Sequence, residues 1–206
     1  MQSNLEDREW WTTVDDFDGG WCPCTGATRK LPNVILNIWY RQSGKSANLA
    51  RLAIDYKVKY SSRKVCIITV GNTRHIHEKI ESIAENESLE DAVKDIHLGN
   101  AQNTEQLFTT KDFDLVLLDE FLHYEEKHLS KIVEGWNSGN KTGTIIGWST
   151  PSRATSYDKV LRTIEMRGGS RTMINKFRAS DNEEKVDIPH YMRKEDIDLE
   201  YNLNYE

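Results

Sequence analysis

Apolar positions fall in short runs separated by stretches with helical spacing. Val34-Ile35-Leu36-Asn37-Ile38 has strand length, and Ala47 to Ile54 continues with apolar residues at the helical repeat. Val65 to Val70 predicts a second buried strand, and Thr73 is placed to cap a helix running through Glu85. A short helix over Ser88 to Lys94 and a short strand over Asp95 to Leu98 follow. Asp114-Leu115-Val116-Leu117-Leu118-Asp119-Glu120 is an apolar strand that ends in two carboxylates. A helix from about Glu125 to Trp136 and the turn Ser138-Gly139-Asn140 lead to a strand over Thr144 to Ser149, stopped by Pro151. A helix over Ser156 to Glu165, the Gly168-Gly169 turn and a strand near Thr172 to Phe177 complete the alternation. Such alternation predicts an α/β fold: a mainly parallel central sheet covered by helices on both faces, with any ligand at the carboxyl ends of the strands.

Composition narrows the class. The 206 residues fit one domain of ordinary size. No apolar run has spanning length, and the acidic, aromatic first twenty residues do not resemble a secretory signal, so a soluble protein acting inside a cell is expected. Cys22, Cys24 and Cys66 make no disulfide framework, and Cys22-Pro23-Cys24 lacks two further ligands at zinc spacing. The net charge of −6 hides an asymmetry. Arg153 to Arg178 holds seven basic residues against Asp158 and Glu165, whereas Asp181 to Glu206 holds nine acidic and three basic ones. The basic stretch is either a solvated helix face or a surface facing phosphates, those of DNA or of a neighbouring subunit's nucleotide. The expected division is an aromatic N-terminal segment, 1–30, packing on the core, then a domain over 31–180 and a surface-hugging acidic tail over 181–206.

The sharpest chemistry lies between the first strand and the first helix. Trp39-Tyr40-Arg41-Gln42-Ser43-Gly44-Lys45-Ser46 is a phosphate-binding loop with tryptophan at its first glycine position. Gly44 lets backbone N–H groups curl round phosphates, Lys45 reaches the β- and γ-phosphates, and the Ser46 hydroxyl suits Mg²⁺. The helix that begins there adds the positive end of its dipole. At the end of the carboxylate strand, Asp119 is the candidate for the magnesium shell and Glu120 for the general base that activates water. Other constellations carry less. His75-Ile76-His77 has no further ligand at metal spacing and reads as helix surface, and His123 and His128 splay apart on a helix. Trp10, Trp11 and Trp21 read as packing of the N-terminal segment.

A strand intervenes between the phosphate-loop strand and the Asp-Glu strand, and a glutamate follows the aspartate. These features resemble the additional-strand, catalytic-glutamate branch of P-loop NTPases that hydrolyse ATP to do mechanical work. Arg41-Gln42-Ser43-Gly44-Lys45-Ser46 is similar to the loop of large terminase ATPases, which package viral DNA. Ser149-Thr150-Pro151 is similar to their coupling motif, and Leu117-Leu118-Asp119-Glu120-Phe121 looks like the Asp-Glu-Phe ending of small phage packaging ATPases. The resemblance covers roughly residues 30 to 155. It implies an ATPase using ATP and Mg²⁺, with double-stranded DNA and a viral portal or procapsid as partners, inside a host cell at the site of virus assembly. It implies that Arg41 reaches the γ-phosphate in cis and that Ser149 and Thr150 sense that phosphate. It also implies a ring in which one subunit's arginine enters its neighbour's site, with Arg153 and Arg162 the candidates. Alone, the chain is expected to be a monomer and a slow ATPase.

The chain departs from that family in two respects. The glutamine-bearing adenine motif cannot be placed in Asp15 to Lys30, and the twenty-eight residues after Arg178 are too few for a nuclease domain. The chain is then either an ATPase-only packaging protein or an excised ATPase domain, with no nuclease activity expected. A helicase-like or recombination ATPase, and a nucleotide-dependent assembly switch with little turnover, are the alternatives. A small-molecule kinase would not need a water-activating Glu120.

Overall fold

A computed structural model describes residues 11–14, 34–103, 113–139, 143–151, 162, 172–182 and 186–203. Its centre is a six-stranded sheet formed by β1 (Val34–Trp39), β2 (Val65–Thr69), β3 (Ile96–Asn100), β4 (Leu115–Asp119), β5 (Thr144–Ser149) and β6 (Thr172–Phe177). The strands lie in the order β3-β2-β4-β5-β1-β6, and every pairing is parallel. The helices are α1 (Lys45–Lys59), α2 (Arg74–Glu87), α3 (Glu90–Val93), α4 (Glu126–Gly139) and α5 (Lys194–Glu200).

The apolar runs explain which strands are central. β1, β2, β4 and β5 are buried along their whole length, as strands covered on both faces must be, while β3 at one edge is mostly half-buried. Alternate residues feed two cores. Ile35, Ile67, Leu117, Ile146 and Trp148 pack against the α1 side chains Leu49, Leu52, Ala53 and Ile54 and against Ile76 and Ile80 of α2. Leu36, Ile68, Val116, Leu118 and Ile145 pack on the opposite face against Phe121, Leu122, Leu129 and Ile132. Helix α1 thus carries the chain from β1 past β5 and β4 to β2, and β5 separates the phosphate-loop strand from the carboxylate strand.

Several expectations shift at their edges. The first helix starts at Lys45 and runs to Lys59. The strand expected from Asp95 is Ile96–Asn100, and Ser88 is the left-handed C-cap of α2, the short helix being Glu90–Val93. Gly139, expected in a turn, is the last residue of α4. Thr73 occupies the cap position of α2 but makes no side-chain cap bond; Asn72 Oδ1 instead accepts from the Arg74 N–H at 2.9 Å. Trp39, at the first position of the loop, is buried and meets Phe177 edge-on. The tail is more than an acidic surface, since it contains α5 and buries Tyr201 and Leu203. Arg153, most of the helix expected over 156–165, the Gly168-Gly169 turn, Trp10, Trp21, Cys22 and Cys24 lie outside the described residues. No helix among the described residues is long and apolar enough to cross a membrane.

One glycine links sheet packing to the functional end. A Cβ on Gly147, in the middle of β5, would stand 2.7 Å from the ring of the fully buried Phe121. Gly147→Ala should therefore cost about 1–3 kcal/mol as Phe121 is pushed aside. Urea unfolding measures this; a midpoint equal to that of the unsubstituted chain contradicts the packing described.

Candidate nucleotide site

Three strands end around one lysine. The chain leaves β1 through Tyr40 and turns with Gln42 at φ 66° and Gly44 at φ 90° before entering α1. Gly44 suits this left-handed position, and its open face looks onto the Trp11 indole, 3.7 Å from where a Cβ would stand. Helix α1 has no side-chain cap and no acidic residue in its first turn. A helix start left so, with a lysine as its first residue, is matched to an anion.

Lys45 is buried, and its Nζ donates to Thr150 Oγ1 at 2.5 Å and to the Tyr40 carbonyl at 3.3 Å. Burial lowers its pKa, while Glu120 and Asp119 pull the other way. Glu120 Oε1 lies 3.8 Å from the ammonium. Glu120 Oε2 accepts from the Ser149 hydroxyl and from the Thr150 N–H, both at 3.1 Å. The Ser149 Oγ in turn accepts from the Leu122 N–H at 3.3 Å, and Thr150 Oγ1 donates to the Trp39 carbonyl at 3.0 Å. Glu120 itself has φ 52°, a left-handed conformation costly for a residue with a side chain.

Asp119 ends β4 behind Glu120. One oxygen, Oδ2, is 3.1 Å from His75 Nε2, and the other, Oδ1, is buried with no hydrogen-bond partner. Burial raises the Asp119 pKa and Glu120 adds to it, against the hydrogen bond from His75. An orphaned buried carboxylate oxygen is a donor atom that fits a cation. Mg²⁺ at nucleotide sites takes only one or two protein oxygens, the rest coming from phosphate and water. The residues fit that ion, with Asp119 and the half-buried Ser46 hydroxyl as the groups that would hold it.

A cavity of about 550 Å³ opens over this end of the sheet. Of the predicted site residues it is lined by Arg41, Gln42, Gly44, Lys45, Ser46, Glu120 and Thr150. Ser43 and Ser149 are buried beneath it, and Asp119 is buried at the end of β4. Arg162 is helical and exposed, and its neighbours from 152 to 171 are outside the described residues.

The structure also brings in residues that the sequence did not single out. Glu200 of α5 lines the cavity and pairs with Arg41 at 2.8 Å. Lys79 lines it too, as does His123, which was expected on a helix with His128 but ends a separate short turn, Phe121–His123, ahead of α4. Beneath the loop, Asn48 Oδ1 accepts from the Thr12 N–H at 3.1 Å and from Trp148 Nε1 at 3.0 Å, while Asn48 Nδ2 donates to the Thr12 carbonyl. Asn37 Nδ2 donates to Thr12 Oγ1 at 2.9 Å. A polar residue inside an apolar strand was the visible signal for Asn37; its partner was not visible.

No protein-family model and no curated protein sequence matches the chain. Among solved structures, the large terminase ATPase domain of Thermus phage P74-26 aligns with a TM-score of 0.58 at 16% identity, covering 87% of this chain and 91% of that one. The large terminase of the thermophilic bacteriophage D6E aligns with a TM-score of 0.53 at 10% identity, over 80% of this chain and 43% of its own. The Hef helicase domain of Pyrococcus furiosus reaches 0.48 at 14% identity, over 70% of this chain, which spans only 35% of it. The likeness is one of fold: the chain has the parallel α/β architecture of P-loop NTPases.

The environment of Asp119 has a consequence for stability. A carboxyl whose pKa is raised by folding above its ordinary 3.8 favours the fold while protonated, and that favour is lost as pH rises through the folded value. Asp119→Asn should therefore gain stability over the unsubstituted, nucleotide-free chain as pH rises from about 4 to 7. Melting temperatures across that range test this, and a difference that shrinks with pH contradicts it.

Proposed function

We propose that this chain is an ATP-hydrolysing motor subunit that drives double-stranded viral DNA into a preformed capsid. The observation that carries the reading is the Glu120 carboxylate, fixed by the end of β5 beside a buried lysine at the mouth of an uncapped helix. The Arg-Gln-Ser-Gly-Lys-Ser loop and the Ser-Thr-Pro strand end support the packaging role, as does a fold likeness spanning most of a phage terminase ATPase domain.

In this mechanism a triphosphate enters the cavity with its phosphates against the N–H groups that begin α1. Lys45 exchanges Thr150 and the Tyr40 carbonyl for phosphate oxygens, which neutralise an ammonium otherwise costly to bury. Asp119 and Ser46 would hold Mg²⁺, which when bound would neutralise phosphate charge. Glu120 Oε2 stays anchored to Ser149 and Thr150, and Oε1 takes the proton of the attacking water. Once Lys45 has left it, Thr150 Oγ1 is the hydroxyl that reports the γ-phosphate, and β5 relays its loss beyond Pro151.

Arg41 reaches the γ-phosphate in cis, and in an assembled ring an exposed arginine such as Arg162 enters the neighbouring site. Positioning and electrostatics of this kind supply most of the rate in phosphoryl transfer. The further partners of the proposal are the portal or procapsid and other copies of this chain.

Steady-state ATPase with and without double-stranded DNA tests the reading. Stimulated turnover is expected; binding with no turnover in either case points to an assembly switch. Lys45→Ala should abolish productive ATP binding. Glu120→Gln should bind ATP and lose on the order of a hundredfold or more in turnover. Equal loss of affinity in both variants would remove Glu120 from the role of base.

A mixing experiment tests the ring. Arg162→Ala subunits mixed with Glu120→Gln subunits should partly recover hydrolysis, since each lends what the other lacks; comparable arginines are worth about a thousandfold or more. No recovery, with turnover per subunit independent of protein concentration, leaves Arg41 as the acting arginine.

A further inference from the structure

The phosphate loop is tied to a segment far away in the chain. The Arg41 N–H donates to the Glu200 carbonyl at 3.0 Å, and Arg41 Nη1 donates to Glu200 Oε2 at 2.8 Å. The two partners are not equally held. Glu200 ends α5, and the next residues are anchored: Tyr201 is buried and stacks on Tyr40, and its carbonyl accepts from the Ala179 N–H at 2.9 Å. Arg178 Nε donates to the Asn202 carbonyl, and Leu203 is buried in the core on the other face of the sheet. The Glu200 side chain is 19% exposed, against 55% for that of Arg41. The carboxylate is therefore the fixed partner, and the long guanidinium arm is the one able to move.

That carboxylate lines the same cavity as Lys45, Ser46 and Thr150. A fixed negative charge at the mouth of a site for a polyanion opposes binding unless it has another task. Its partner gives it one. An arginine can serve a carboxylate or a phosphate with the same planar fork, and both are acceptors of the same kind.

We propose that Glu200 is the positioning residue of Arg41, a carboxylate that competes with the γ-phosphate for the same guanidinium. Resting on the ATPase reading, this makes the ion pair alternate with nucleotide state. Triphosphate binding draws Arg41 off Glu200, and loss of the γ-phosphate returns it. Glu200 thereby loosens the hold on triphosphate and leaves the diphosphate, which lacks the competing group, nearly untouched. Because Glu200 sits on the segment that carries Tyr201 and Leu203, each exchange changes the charge balance where that segment meets the loop.

Equilibrium titration with ADP and with a non-hydrolysable ATP analogue tests this on four proteins: the unsubstituted chain, Glu200→Gln, Arg41→Gln and the double variant. Glutamine keeps the backbone bond and the shape of the side chain, and unfolding midpoints confirm that each variant is folded. Glu200→Gln should bind the triphosphate analogue roughly fivefold more tightly, the scale of one partly exposed ion pair, and ADP within about twofold of the unsubstituted chain. In the Arg41→Gln background the unpaired carboxylate is only a negative charge, so the same substitution should tighten both nucleotides about equally and the preference for the triphosphate should vanish. Equal tightening of both nucleotides with Arg41 present, or a triphosphate-selective gain that survives Arg41→Gln, would show that Glu200 does not act by competing for Arg41 and overturn the proposal. Weakened triphosphate binding would overturn it too. Should Glu200→Gln not fold, Glu200→Ala takes its place in the same titrations, and the same outcomes overturn the proposal. Absence of any nucleotide binding by the unsubstituted chain sinks the ATPase reading itself, and this inference with it.

Discussion

A buried ammonium group organises the functional end of this molecule. Lys45 is the first residue of α1, yet it is enclosed, and an enclosed cation must be given acceptors or anions. The fold supplies them from three strands at once: the Tyr40 carbonyl after β1, Glu120 after β4 and Thr150 after β5. The parallel arrangement makes this convergence available, because all the strands end on the same side and β5 lies between the other two. The remaining polar contacts follow. The Thr150 hydroxyl donates a hydrogen bond to the Trp39 carbonyl, and Ser149 ties Glu120 to the Leu122 N–H. In the proposed function a nucleotide would complete this arrangement by replacing weak neutral acceptors of Lys45 with phosphate charge.

Left-handed backbone occurs here too, as it does at Ser88 and Leu203. Gln42, Gly44 and Glu120 all have positive φ, and two of them carry side chains. Such conformations persist where the surroundings hold them. Glu120 is held by two hydrogen bonds to its carboxylate and by Phe121, whose ring fills the space left by Gly147. The loop is held by Asn48, which binds Thr12 on one side and Trp148 on the other, with Trp11 lying against Gly44.

How much of this was legible depends on distance along the chain. The phosphate loop, the strand ending in Asp119-Glu120 and the order of strands and helices are local patterns, and local patterns are what periodicity and spacing report. Helix ends were less legible, because Thr73 and Ser88 suit caps on either side of a boundary. Contacts between distant residues were not legible at all. His75 reads as helix surface, yet it holds Asp119 across 44 positions. Glu200 reads as part of an acidic tail, yet it meets Arg41 across 159. Neither residue belongs to a motif; each is placed by the packing of its element. The N-terminal tryptophans read as packing residues, which describes Trp11, but the Thr12 and Asn48 pair beside it has no signature in the sequence.

In the proposed reaction these converging strand ends activate water against the γ-phosphate of ATP. Turnover in ¹⁸O-labelled water, followed by mass analysis of both products, tests it most directly. Label is expected in the released phosphate and none in ADP, with incorporation lost in Glu120→Gln. Label in ADP, or transfer of the phosphoryl group to another acceptor without labelled phosphate, would contradict it.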